Sequence, residues 1–330
     1  MLSVKNLQQH YPNFDLNVSF DVQNGEVVGL TGRNGAGKST TFRAILNLLA
    51  PDAGELTLFD TPVGQLIPAQ KQLIGTTFAD SFFAESFTIQ QIAKILNASY
   101  QDFAPATFLK ACQMQQLPLN QAYKQFSTGM KAKLKLLVAM SHHAQFLLLD
   151  EPTSGLDAVV RQSVLAMLQD YLDQDASRSV LLSSHISTDS KTLCDRIIVL
   201  DQGQIRLQAT IDAVQTNYAT LRLTAEQYDQ VKADHLLSAK PSPFGFLALT
   251  DQRQYYLENY PQLAITPATL DDLLVVPSYS GGRRMKGLWL KDWLFLKTQW
   301  LAAALTFILA LARCVFLSKL GSALAWALPV

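Results

Sequence analysis

The stretch VVGLTGRNGAGKST, residues 27–40, constrains this chain more than any other. The apolar run Val27-Val28-Gly29-Leu30 reads as a strand, and GRNGAGKST then satisfies G-x-x-x-x-G-K-[ST] with a helix following. Glycines in such a turn let successive backbone N–H groups curl around an anion, and the helix N-terminus adds partial positive charge. The backbone of Gly32, Asn34, Gly35, Gly37 and Thr40 is therefore expected to cradle the phosphates of a nucleotide. Lys38 would reach the outer phosphates and the Ser39 hydroxyl would sit on Mg²⁺.

The surroundings point to an α/β fold with a mostly parallel central sheet. Residues 1–30 read as short strands and turns, with Leu2 and Val4 alternating as in a strand. After the glycine turn, Phe42, Ile45, Leu46 and Leu49 keep helical spacing, and Pro51 and Gly54 are expected to end that helix. Residues 86–145, rich in Gln, Ala and Leu, read as a mostly helical insert. Phe146-Leu147-Leu148-Leu149 and Val180-Leu181-Leu182 are uninterrupted apolar runs, which suit strands covered on both faces. Residues 197–205 read as a hairpin closing a first domain of residues 1–212. A small α+β region at 213–282 and a basic, then apolar, helical tail at 283–330 complete the expected organisation.

A second acidic motif stands in FLLLDEP, where Asp150 and Glu151 follow a buried strand. Open α/β sheets bind ligands at the C-terminal ends of their strands, the same edge the phosphate loop occupies. Asp150 is expected to hold Mg²⁺, directly or through water, and Glu151 to orient and deprotonate an attacking water. His185 closes VLLSSH, a third strand end, where its imidazole could contact a terminal phosphate. The other four histidines, with His142-His143 in tandem, read as surface residues. Three cysteines without CxxC spacing suit a reducing compartment and supply no metal framework. Twenty-seven basic and 27 acidic residues cancel, so no global field attracts nucleic acid, and none is expected as a partner. The opening MLSVKNLQQHYPNF lacks the apolar core of a secretory leader, which places the front of the chain in the cytosol as an expectation.

Between the helical insert and Asp150 lies FSTGMKAKLKLL, where Ser127 and Gly129 at a helix start form another anion-ready site. Phosphate loop, this segment, DEPTSGLD and SSH, in that order, make residues 1–212 resemble the ATP-binding cassette ATPases of transporters. The family signature, usually LSGGQ, is here Phe126-Ser127-Thr128-Gly129-Met130; Thr128 and Met130 depart from it, and S-x-G-M versions resemble those of some bacterial exporters. The resemblance implies that Tyr11 stacks on the adenine of ATP and that Asp157 lies in a dimer-contact loop. It also implies a head-to-tail homodimer, or a heterodimer with another such ATPase, in which Ser127 and Gly129 of one copy cover ATP on the other. Closure would drive a separate integral-membrane permease at the cytoplasmic face of a bacterial membrane, in the sense of an exporter. Where the family usually has a Gln after a strand, IGTTFAD places Ala79 with Asp80 beside it; Asp80 is expected to substitute as a Mg²⁺ ligand. Cassette ATPases acting on ribosomes or DNA, or as scaffolds, form the other class; one cassette, no net charge and no heptad pattern weigh against the first two.

In the tail, Arg283, Arg284, Lys286, Lys291 and Lys297 face a single acid, Asp292, which suits the cytoplasmic side of a membrane. The apolar run Trp300 to Ala312 is shorter than the about twenty residues that a spanning helix needs. Extending it would bury Arg313 at about 2.5–3.5 kcal/mol. Beside a membrane-inserted helix and an amphipathic surface anchor stands a third reading: MKGLWLKDWLFLKTQW is similar to the start of a permease subunit, so the tail is expected to be a remnant of a neighbouring gene, with no catalytic role.

Overall fold

A computed structural model describes residues 1–78, 83–184 and 187–275. The chain opens with a long antiparallel hairpin, β1 (Leu2–Tyr11) and β2 (Phe14–Val22), of ten and nine residues where short strands were expected. Continuity past Val4 depends on a register shift between Val4 and Leu7, with Asn6 at φ 48°. That bulge resets the alternation, so Leu2, Val4 and Leu7 all face the core. Then follow β3 (Val27–Gly32), α1 (Lys38–Ile45), β4 (Ala53–Leu58), β5 (Thr61–Pro62), α2 (Pro68–Lys71) and β6 (Ile74–Thr77). The helical insert holds α3 (Ile89–Ser99), α4 (Pro105–Met114) and α5 (Thr128–Met140). The sheet then resumes, with strands and helices alternating, as β7 (Phe146–Asp150), α6 (Ala158–Asp173), β8 (Ser179–Ser184), α7 (Ser187–Leu193), β9 (Arg196–Asp201) and β10 (Gln204–Thr210).

Ten strands form one sheet in the order β5-β4-β1-β2-β10-β9-β3-β8-β7-β6. Strands β9, β3, β8, β7 and β6 run parallel, and β9–β10 is the expected hairpin. The apolar strands are covered on both faces. In β7, Phe146 and Leu148 join a core shared with α1 and the β1–β2 hairpin, while Leu147 and Leu149 join one shared with α3 to α6. Side chains alternate at period two, so a continuous apolar run is what two covered faces require. Each such buried side chain stabilises the fold by about 1.5–3 kcal/mol.

Two local expectations need correction. Helix α1 ends at Ile45, well short of Pro51. Asn47 adopts φ 54°, its N–H donates to the Ala44 carbonyl at 3.0 Å, and the Leu48 N–H donates to the Arg43 carbonyl at 2.8 Å. This pair of bonds closes the helix as a Schellman motif, and Leu48 is left 68% exposed. His142 is the second correction: it is buried, stacked on the Tyr100 ring at 4.0 Å, and donates from Nδ1 to the Gln72 carbonyl at 2.8 Å. Burial holds its imidazole below the usual histidine range, outweighing the bond to Gln72. His10, His143 and His235 are exposed as expected.

Beyond α8 (Ile211–Asn217) come β11 (Ala219–Leu223), α9 (Ala225–Val231), β12 (Leu236–Ser242), β13 (Gly245–Thr250), α10 (Arg253–Asn259), β14 (Ala264–Pro267) and α11 (Leu270–Val275). Strand order β12-β13-β11-β14, all antiparallel, with βαββαβ connectivity, is a ferredoxin-like plait. One face packs Leu221, Leu223 and Ala248 against Val231 and Tyr256. Leu249, on the other face, enters the same core as Val214, Tyr218 and Leu273, so the plait shares its packing with the larger sheet. The tail at 283–330, with the membrane and permease-like expectations attached to it, lies outside the described residues. Among the described residues no helix is long and apolar enough to cross a membrane.

The starts of two neighbouring parallel strands, β3 and β9, are tied by a fork. Arg196, opening β9, donates from Nε to Glu26 Oε1 at 2.7 Å and from Nη2 to Glu26 Oε2 at 3.0 Å. Burial raises the Glu26 pKa, but the bonds from Arg196 and the Gln23 N–H, with the Arg196 charge, outweigh it and lower the net value below 4.5. A depressed folded-state pKa means this stabilisation is present above 4.5 and is lost as pH falls through that value toward the folded one. Urea midpoints of the chain should therefore drop on acidification in this window, and Glu26→Gln should flatten the drop; an unchanged acid limb would remove the fork from this role.

Candidate nucleotide site

Because β6, β7, β8 and β3 are parallel, Thr77, Asp150, Ser184 and Gly32 end on one edge of the sheet. The loop after β3 turns through Gly35 at φ 79° and Gly37 at φ 112°. A Cβ on Gly37 would lie 2.7 Å from Leu16 Cδ1 and 2.9 Å from Phe14 Cζ, so both conformation and space demand glycine. Lys38 begins α1 and is buried. Its ammonium donates to the Gly32 carbonyl at 2.7 Å and the Arg33 carbonyl at 3.4 Å, and lies 3.7 Å from Glu151 Oε1. A buried cation held by carbonyls of its own loop and one carboxylate is placed for exchange onto phosphate oxygens.

Ser39 Oγ donates to Asp150 Oδ2 at 3.4 Å. The other Asp150 oxygen accepts from Ser183 Oγ at 2.6 Å, and that same hydroxyl accepts the Glu151 N–H at 2.9 Å. Ser183, opposite Asp150 in the β7–β8 register, thereby orients both acids. Glu151 takes φ 46°, rare for a residue with a side chain, and that turn brings its carboxylate to Lys38. Two residues further on, the Thr153 hydroxyl donates to the buried carboxylate of Asp189 in α7, tying the β7 loop to the element after β8.

These residues surround a cavity of about 730 Å³ lined by Tyr11, Asn13, Phe14, residues 33–40, Asp150 and Glu151. Tyr11 is 38% exposed, and its ring lies 6.2 Å from that of Phe14, making an aromatic wall beside the phosphate loop. Gly35, Gly37, Lys38, Ser39, Thr40 and Asn34 are thus brought together with Asp150, Glu151 and Tyr11, while Gly32 lies just beneath as the last residue of β3. No residue of 126–130 lines this cavity.

Ser127 stands exposed as the N-cap of α5, its Oγ accepting the Met130 N–H at 3.2 Å. Gly129 packs on α6, where a Cβ would lie 2.7 Å from Val160 Cγ1. Asp157 caps α6 by accepting the N–H groups of Val159 and Val160 at 3.0 and 2.9 Å. The two capped helix starts are therefore neighbours on one face, with Val159 79% exposed beside them. A smaller cavity of about 310 Å³ joins Thr128, Lys131 and Lys135 of α5 to Asp150 and Glu151. Ala79, Asp80 and His185 lie outside the described residues.

Sequence reasoning missed Ser183, Asn13, Phe14 and Arg33. Ser183 was visible as the first serine of SSH, but its partner depends on strand register. Phe14 continues the alternation into Leu16 and Val18 and reads as ordinary core.

Phosphate loop, hydroxyl–carboxylate pair and acidic strand end on a mostly parallel sheet define a P-loop nucleotide-binding protein. The sequence pattern of the ABC transporter family matches residues 16–154. The chain is 31% identical over 206 residues to the ABC transporter ATP-binding protein YtrB of Bacillus subtilis, covering 62% of this chain and 70% of that one. It is 33% identical over 197 residues to the Nod factor export ATP-binding protein I of Rhizobium etli, covering 57% and 60%. A Brucella ovis protein named for peptide import is 32% identical over 262 residues, covering 74% and 79%. Among solved structures, an ATP-binding subunit of an ABC transporter superposes with TM-score 0.56 at 25% identity, covering 65% of this chain and 92% of that one. The dimeric cassette MJ0796, bound to ADP and Pi, superposes with TM-score 0.57 at 21% identity, covering 64% and 99%, a likeness of fold. The chain belongs to the ABC transporter ATP-binding proteins and is an ATPase.

Proposed function

We propose that this subunit binds Mg·ATP in the cavity over Gly32–Thr40 and hydrolyses it only when a second cassette closes over it. Tyr11 and Phe14 wall the adenine side, loop N–H groups and Lys38 hold the phosphates, and Glu151 takes the proton of the attacking water. Ser39 Oγ and Asp150 Oδ2, 3.4 Å apart, are the oxygens that would hold Mg²⁺, directly or through water. Mg²⁺ there would neutralise charge building on the phosphates. Asp80 and His185 remain candidates for the cation and the terminal phosphate.

The observation that carries the reading is that the phosphate cavity takes no lining residue from 126–130, although α5 presents a capped N-terminus at Ser127. Ser127, Gly129, Asp157 and the exposed Val159 then form the face offered to the partner, either a second copy or another cassette. Closure powers a separate membrane permease, which holds the subunit at the cytoplasmic face. The outward direction draws on the Nod factor export relatives and on the S-x-G-M form of residues 127–130. ATP-driven substrate flux into inside-out vesicles tests it, and flux out of them would reverse it.

Dimer dependence has its own test. Turnover per copy should fall on dilution and recover on concentration, because the competent site forms by association. A rate per copy that is unchanged at extreme dilution would overturn the reading.

A further inference from the structure

Away from the nucleotide edge, α4, α5 and α6 enclose a cavity of about 370 Å³. Phe108, Leu137, Met140 and Met167 make its apolar walls, and Met114 stands at its rim 73% exposed. The size lies within the about 300–1,000 Å³ typical of small-molecule sites, and methionine-rich walls adapt to flexible apolar ligands.

Arg178 lines this cavity and is only 9% exposed. Its guanidinium lies 3.7 Å over the Tyr171 ring, and Nη1 donates to the Tyr171 carbonyl. A guanidinium offers further N–H donors in a planar fork that matches a carboxylate. Among the described residues no carboxylate pairs with it. Asp175, close in sequence, has its carboxyl held below the usual range first by the hydroxyl and N–H of Ser177, on Oδ1 at 2.7 and 2.9 Å, and also by the Arg178 charge, which it does not hydrogen-bond. Asp170 lines the same cavity but is exposed and makes no ion pair with Arg178, and His143 at the mouth is exposed too. A mostly buried guanidinium that hydrogen-bonds no carboxylate gains charge-assisted hydrogen bonds from one that enters beside it.

We propose that this cavity binds a medium-chain carboxylate, its head on Arg178 and its chain along the methionines. It shares no lining residue with the nucleotide cavity, so failure here leaves the nucleotide reading intact.

Calorimetric titration of the full chain with decanoate, below its micelle concentration, tests this. Saturable binding is expected, weakened roughly ten- to hundredfold by Arg178→Gln, the scale of a charge-assisted hydrogen bond. Met114→Glu, at the exposed rim, should weaken it by repulsion while ATP binding stays normal. Decylamine, with the same chain and the opposite charge, should bind at least about tenfold more weakly than decanoate. Absence of saturable decanoate binding, equal affinity in the parent chain and both variants, or decylamine binding as tightly as decanoate would each overturn the proposal. Should Arg178→Gln fail to fold, Met114→Glu and the decylamine comparison decide it.

Discussion

Glu151→Gln is expected to bind ATP with near-parental affinity and to hydrolyse it about 10²–10⁴-fold more slowly, the usual worth of a positioned general base. The amide keeps the size of the side chain and the backbone turn at φ 46°, and the Glu151 N–H keeps its bond to Ser183. What disappears is an acceptor for the proton of water. It also removes the carboxylate that stands 3.7 Å from the Lys38 ammonium, which leaves Lys38 freer to engage phosphate. Closed dimers should therefore accumulate in ATP and separate only slowly. Gel filtration with ATP and a single-turnover assay read both effects. Near-normal turnover without a stable dimer would take Glu151 out of the base role and redirect attention to Asp150.

Ser127→Arg is expected to abolish productive closure, lowering turnover by at least about 10²-fold, the scale of losing aimed donors at a phosphate. The side chain is exposed in the single chain, so a large substituent meets solvent and the fold survives. Its loss as N-cap costs about 0.5–2 kcal/mol, too little to unfold a domain. Binding of the first nucleotide should persist, because no residue of 126–130 lines the loop cavity. Equal loss of binding and turnover would mean that the substitution damages the cassette itself, and the division of the site between two copies would lose its support.

The phosphate loop was legible because its chemistry is local. Consecutive glycines, a lysine and a hydroxyl prescribe a backbone path whatever the rest of the chain does. The uninterrupted apolar runs at 27–30, 146–149 and 180–182 likewise announce strands covered on both faces, since no other arrangement hides every residue of such a run. Periodicity was weaker where a single residue's conformation decides the outcome. Leu49 continues the helical spacing after Phe42 and Ile45, yet Asn47 accepts a left-handed turn and the helix stops at Ile45. Apolar spacing reports which face a residue could present; it does not report where the backbone hydrogen bonds run out.

The chain by itself determined a nucleotide-binding α/β fold, the residues of the phosphate loop, and the paired acids after a buried strand. Only the tertiary structure decided that Ser183 orients both acids, that Phe14 joins Tyr11, that His142 is buried, and that residues 219–267 form a plait. The reason is the range of the interactions. Ser183 meets Asp150 through the register of two strands 33 residues apart along the chain, and the plait is defined by which strands pair. A linear pattern carries the propensity of each segment, whereas pairing partners are selected by burial that exists only once the segments have met.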